Sequence, residues 1–137
     1  MCMYVPIGRR PLKPKVAKSD IKCFKIVAID NEKNIHSAVR KFPYRLNKTY
    51  TVEGDFSKIY YTGHYYYHID KGGFHSFVEI EDTFNSYKHY ESTDEEKMVM
   101  VRCHIPKGSL YYMGESLGGE PNYVSQSIVI DEIIHDN

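Results

Sequence analysis

Only one segment of this chain has clear helical periodicity, and that limits the fold to one built mostly from strands. The apolar stripe of this segment is formed by Phe77, Ile80, Phe84 and Tyr87, the spacing of one face of an α-helix. Ser76 and Glu79 have the spacing of a capping box, which marks a helix N-terminus. We therefore predict one main helix over about residues 77–90, entered from a turn at Gly72 and Gly73.

Strand signals account for most of the remaining sequence. Residues 21–29 (IKCFKIVAI) are rich in β-branched and aromatic side chains, which predicts a strand buried on both faces. Residues 97–105 alternate between an aliphatic face and a more polar face. Weaker signals lie at residues 49–52, 57–70 (a hairpin or bulged strand), 110–113 and 123–134. The sequence predicts an α+β domain with a mostly antiparallel, curled or nearly closed sheet of about six or seven strands, and the helix packed on it.

The first 20 residues differ from this pattern because they combine prolines with basic side chains. Pro6, Pro11 and Pro14 argue against a regular helix or a central strand. We predict an extended basic arm over residues 1–20 that lies on a single α+β domain of residues 21–137. An alternative is an arm that reaches a partner or a phosphate group.

Composition excludes some functions. The 137 residues suit one domain, and the 18 Lys and Arg residues balance the 18 Asp and Glu residues, so no net field favours non-specific nucleic-acid binding. The lack of a long apolar run predicts no membrane association, and the three cysteines without a leader segment predict a cytoplasmic protein. The 13 tyrosines and the zero net charge leave little repulsion between copies, which makes a homo-oligomer possible.

Five segments together carry a resemblance. They are the Met-Cys-x-Tyr start and residues 20–25 (DIKCFK), 44–50 (YRLNKTY), 73–77 (GFHSF) and 105–112 (IPKGSLYY). The chain resembles a loose group of small proteins of gut bacteria and their phages, to which no chemistry is assigned. Asn47 stands where that group leads us to expect glycine, and asparagine also tolerates a left-handed backbone. The resemblance implies a bacterial or phage protein, with counter-defence as one role.

The glycine turn and the predicted helix start form the main candidate site. Backbone amides at a helix N-terminus attract anions, and Lys71 and His75 add a charge and a hydrogen-bonding group. Arg102 offers a bidentate contact to an anion. We predict a pocket for a small anionic, nucleotide-like ligand, with contacts from Tyr61, Tyr66, Lys71, Gly72, Gly73, His75, Ser76 and Arg102. In the simpler interpretation, the glycines are only a tight turn and His75 bonds a backbone carbonyl.

Metal binding has little support in the sequence. His64 and His68 on a strand would stand about 13 Å apart, too far to chelate one ion. Cys2, Cys23, Cys103 and His104 would need the arm to fold back before they met. We therefore expect no metal and no cofactor.

Two further functions stay open. A tyrosine-rich sheet face would suit an inhibitor or adaptor that binds a host protein. An enzyme would use His75 for acid–base chemistry, with Glu79 or Glu81 as partner. Cys103 and His104 are not a catalytic pair, because neighbouring side chains on a strand point to opposite faces. The leading hypothesis is a non-enzymatic binding protein.

Overall fold

A computed structural model describes residues 3–8, 12–38, 42–69 and 72–136. These residues form thirteen strands and one α-helix, α1 (Ile80–Tyr87), with a short 3-10 turn at Phe56–Lys58. The strands are β1 (Met3–Pro6), β2 (Lys15–Val16), β3 (Ile21–Asp30), β4 (Ile35–Ser37), β5 (Pro43–Tyr44), β6 (Thr49–Thr51), β7 (Tyr61–Thr62), β8 (Tyr66–Ile69), β9 (Phe74–Phe77), β10 (Glu96–Ile105), β11 (Leu110–Glu115), β12 (Pro121–Ser125) and β13 (Ser127–Asp136). No helix in these ranges is long and apolar enough to span a membrane.

All thirteen strands belong to one sheet whose strand pairs are antiparallel. Its order is β6-β13-β10-β3-β9-β12-β11-β1-β8-β7, with β2 beside β11, β4 beside β3 and β5 beside β4. The sheet ends at β6 and β7 and does not close. The α+β class with a largely antiparallel sheet is confirmed, but the predicted six or seven strands are far too few. Strands of two or three residues, such as β2, β4, β5 and β7, are too short to produce a periodic signal.

The two longest inner strands, β3 and β10, form the centre of the sheet. They pair over ten residues, from Ile21 opposite Ile105 to Asp30 opposite Glu96. The predicted aliphatic face of β10 is fully buried, and the main core contains residues from that face and from β3, β13 and the β5–β6 region. The opposite face of β3 and β10 packs against α1 through Tyr87, whose hydroxyl donates to the Met98 carbonyl at 3.0 Å.

The described part of the N-terminal segment contributes two strands to the sheet. Strand β1 lies between β11 and β8, and β2 pairs with β11. Met3 has no exposed surface and packs in a third core cluster with Phe56, Ile69 and Tyr112. Pro6 is the last residue of β1. An inner strand therefore accommodates this proline at its end, although the proline argued in the sequence against a central strand.

The predicted helix start is wrong. Residues 74–77 form β9, which pairs with β12 from Phe74 opposite Ser125 to Phe77 opposite Asn122. The helix begins at Ile80 and ends at Tyr87, and its N-cap residue Glu79 makes no side-chain capping bond. Pairing with β12 and burial of both phenylalanines override the local capping signal, because helix propensity is a weak prior against tertiary contacts.

Candidate functional site

A cavity of about 880 Å³ opens at a gap in the sheet beside β3. Strand β9 meets β3 at Phe24 opposite Phe77, and β4 meets β3 from Val27 to Ile29. Residues 25–26 lie between these two pairings and line the cavity. The cavity therefore exists because β9 diverges from the β4–β5 hairpin. The volume of this cavity is typical of a small-molecule site.

Aromatic rings form one wall of this cavity. Phe42 lies 5.1 Å from Tyr44 and 5.6 Å from Phe74, measured between ring centroids. Tyr44 is buried, and burial is the main cause that raises its pKa above the ordinary value for tyrosine. Thr51 and Glu53 add polar atoms to the lining. This wall offers flat apolar surface with a few hydrogen-bonding groups beside it.

Among the described residues that line the cavity, Lys25 is the one with a cationic side chain. It lies on a strand whose neighbouring residues are buried, and its own side chain is only partly exposed. Its Nζ donates a hydrogen bond to the backbone carbonyl of His75 on β9, across the gap between the strands. Burial lowers the pKa of Lys25 below the ordinary value for lysine, because a desolvated ammonium group loses hydration energy.

Three predicted site residues line the cavity together: Gly72, Gly73 and His75. Gly73 has a φ of +71°, and a Cβ atom there would lie 2.5 Å from Val124 Cγ1, so both backbone and packing require glycine. Ser76 is fully buried on the face opposite to His75, beside Cys23. Lys71 lies outside the described residues.

The other predicted ligand residues lie elsewhere. Tyr61 and Tyr66 belong to the β7–β8 hairpin at one edge of the sheet, where Tyr61 stacks on His68 with 5.1 Å between ring centroids. Arg102 pairs with Glu132, with 3.0 Å between Nη1 and Oε1. None of these three residues lines the cavity, so the structure does not bring them to Gly72, Gly73 and His75.

The helix dipole does not contribute to this cavity in the way the sequence suggested. Among the described residues, none from α1 lines the cavity; the lining residues Phe77 and Tyr90 lie three residues before the helix begins and three residues after it ends. The glycine turn leads into a strand, so the amides that it presents are not those of a helix N-terminus.

Sequence reasoning missed Lys25 and the wall of Phe42, Tyr44 and Phe74. One signal for Lys25 was present: a lysine stands inside a run predicted to be buried on both faces, where an uncompensated charge is costly. The aromatic wall had no comparable signal, because it depends on how β5 packs against β9.

The cysteine and histidine candidates separate in the structure. Cys23 and Cys103 face each other in the core, whereas His104 is on the opposite face of β10 and its Nδ1 lies 2.9 Å from Asp131. Cys2 lies outside the described residues. Within the described ranges, no group of three or more histidine, cysteine or acidic side chains is arranged to hold a metal ion.

Comparisons with protein-family models, curated proteins and solved structures found no match to this chain. Function is therefore inferred from the cavity and its surroundings.

Proposed function

We propose that this protein binds a small anionic ligand with a flat aromatic part, such as a nucleotide-like compound, and releases it unchanged. The supporting observation is the partly buried Lys25 at a cavity walled by aromatic rings. In keeping with the resemblance drawn from the sequence, the proposal includes a bacterial or phage origin, a cytoplasmic location and a counter-defence role.

The charge of Lys25 favours an anionic ligand. The hydrogen bond that Lys25 donates goes to a carbonyl oxygen, which stabilises a partly buried ammonium group less than a carboxylate or phosphate would. A bound anion would restore the lost electrostatic stabilisation and raise the pKa of Lys25 towards its ordinary value. This electrostatic stabilisation would contribute to the binding free energy of the ligand.

The aromatic wall favours a flat ligand body. Stacking of a nucleic-acid base on an aromatic side chain is worth about 1–3 kcal/mol, and Phe42 and Phe74 offer such faces beside Tyr44. Thr51 and Glu53 add acceptors for amino groups on the ligand. A phosphate at Lys25 and a base at this wall would together use both parts of the cavity.

The enzymatic alternative has weaker support. His75 lines the cavity, but Glu79 and Glu81, its predicted acid–base partners, do not. A second candidate function is favoured by a separate observation: Tyr61 and Tyr65 on the β7–β8 hairpin are 56% and 80% exposed. Exposed tyrosines suit a protein–protein interface, so an adaptor or inhibitor that binds a host protein is the runner-up.

Thermal shift and calorimetry with mononucleotides and cyclic dinucleotides test the proposal. We expect at least one compound to raise the melting temperature of the wild type and of Lys22→Met, and to be recovered unchanged. Lys25→Met should lose this shift. Lys22 is a matched control, because it lies on the same strand but outside the cavity, over the Phe24 ring at 5.8 Å. Equal binding by Lys25→Met, or no binding by the wild type across the panel, would contradict the proposal.

A further inference from the structure

The centre of the sheet contains a pair of thiols that the proposed ligand site does not use. Cys23 on β3 lies directly opposite Cys103 on β10. Their Sγ atoms are 3.5 Å apart, although the residues are 80 positions apart in the chain. Both side chains are fully buried.

The two thiols have different surroundings. The pKa of Cys23 is lowered, mainly by its hydrogen bond with Cys103; burial opposes this, while Ser76 and the charge of Lys25 lower the pKa further. Burial raises the pKa of Cys103 well above the ordinary value for cysteine. Cys23 is therefore the thiol with more thiolate character, which is the form that reacts with oxidants.

The cavity reaches close to this pair. Lys25 follows Cys23 on the same face of β3, about 7 Å further along the strand, and it lines the cavity. On the neighbouring strand, His75 lines the cavity and the next residue, Ser76, contacts Cys23. A small polar oxidant that enters the cavity therefore meets Lys25, two residues from Cys23 on the same face of β3, and His75, which is adjacent in sequence to Ser76.

We propose that Cys23 and Cys103 are a reversible two-electron redox site that hydrogen peroxide converts to a cross-strand disulfide. The Cys23 thiolate attacks one peroxide oxygen, the O–O bond breaks, and the released hydroxide takes a proton to form water. The resulting sulfenic acid is attacked by the Cys103 sulfur, which has given up its proton. An S–S bond forms, the S–O bond breaks and a second water leaves. A dithiol reductant reverses the change.

This proposal makes a different prediction from simple core packing. Buried cysteines that serve only as small apolar side chains stay inert while the protein is folded. A redox pair instead reacts in the folded protein, within one chain, and in a defined order. These three properties can be measured separately.

The main experiment uses the full chain with Cys2→Ala, so that only the two core thiols remain. The folded protein is treated with hydrogen peroxide and then unfolded in the presence of iodoacetamide, which alkylates free thiols. The mass of the product is measured by mass spectrometry. We expect a product that has lost two hydrogen atoms, carries no alkyl group, remains monomeric and returns to the dithiol form with dithiothreitol. Two alkylated cysteines after treatment of the folded protein, or a disulfide between two chains, would overturn the proposal.

A second variant tests the order of reaction. In Cys2→Ala with Cys103→Ser, the resolving thiol is absent, and dimedone is expected to trap a sulfenic acid on Cys23. The matched variant with Cys23→Ser should react more slowly, because burial, the main cause that raises the pKa of Cys103, is unchanged in it. Equal rates for the two variants would contradict the assigned order. Circular dichroism of both variants shows that each is folded before treatment.

Discussion

The cavity beside Lys25 and the hairpin β7–β8 are both rich in aromatic side chains, but they differ in geometry. In the cavity, rings from β5 and β9 form one wall of a space of about 880 Å³. On the hairpin, Tyr61 and Tyr66 pack on His68 and Tyr4 and are otherwise exposed at the sheet edge. The comparison teaches that strand divergence, and not local tyrosine content, creates the cavity.

Lys25 and Arg102, one cation from each of the two central strands, show the same contrast. The Arg102 side chain on β10 is partly exposed and pairs with Glu132, so its charge is already compensated and partly screened by solvent. Lys25 lies at the gap between β9 and β4 and donates to a backbone carbonyl. We therefore expect Lys25 to stabilise a bound anion electrostatically more than Arg102 would.

The largest effect is expected from the glycine turn at the cavity. Gly73→Ala should destabilise the protein by about 2–3 kcal/mol, because φ is positive and the new Cβ would meet Val124 Cγ1 at 2.5 Å. Gly108→Ala is the control, since its φ of +90° is also positive but no atom lies within 4 Å of a new Cβ. The control should cost about 1 kcal/mol. Equal losses of unfolding free energy for the two variants, measured by urea denaturation, would contradict the close packing at Gly73.

Next in size is the effect of removing the Lys25 charge. Lys25→Met should weaken binding of an anionic ligand by tenfold or more and stabilise the ligand-free protein by about 1 kcal/mol, because the cost of a desolvated ammonium group disappears. Arg102→Met should leave ligand affinity within about twofold. Calorimetry and urea unfolding measure the two quantities. A Lys25→Met variant that is less stable and still binds would place the anion elsewhere.

A smaller effect is expected from pH. The pKa of Lys25 is lowered in the folded state, so between that value and the ordinary lysine value the unfolded chain binds more protons. The free energy of unfolding therefore rises with pH through that window. Below the window Lys25 is charged in both states, and the full cost of the desolvated ammonium group remains. The difference in unfolding free energy between the wild type and Lys25→Met should narrow as pH increases towards 10. A constant difference would show that Lys25 titrates as it does in water.

The smallest effect is expected on the hairpin. Tyr61→Ala should change stability by less than about 0.5 kcal/mol, since the ring is more than half exposed, and it should leave the ligand-induced thermal shift unchanged. Loss of that shift would show that the hairpin, and not the cavity, holds the ligand.

Sequence patterns predicted the long elements and failed where pairing between distant segments decides the structure. Strands β3 and β10 follow residues 21–29 and 97–105 closely, because ten residues give a strong periodic signal. Ser76 carried a helix-cap pattern, but its backbone pairs with Tyr123 of β12 instead. For the candidate site, local sequence pointed to Gly72, Gly73 and His75, which line the cavity, whereas Lys25 and Phe42 come from segments whose approach only the sheet topology specifies.

Native mass spectrometry of the wild type, Lys22→Met and Lys25→Met, purified from the same cells, tests the central claim most directly. The account predicts a small-molecule adduct on the wild type and on Lys22→Met that dissociates intact and is absent from Lys25→Met. An adduct of the same mass and occupancy on all three proteins would contradict binding at Lys25, and so would the absence of any adduct on the wild type.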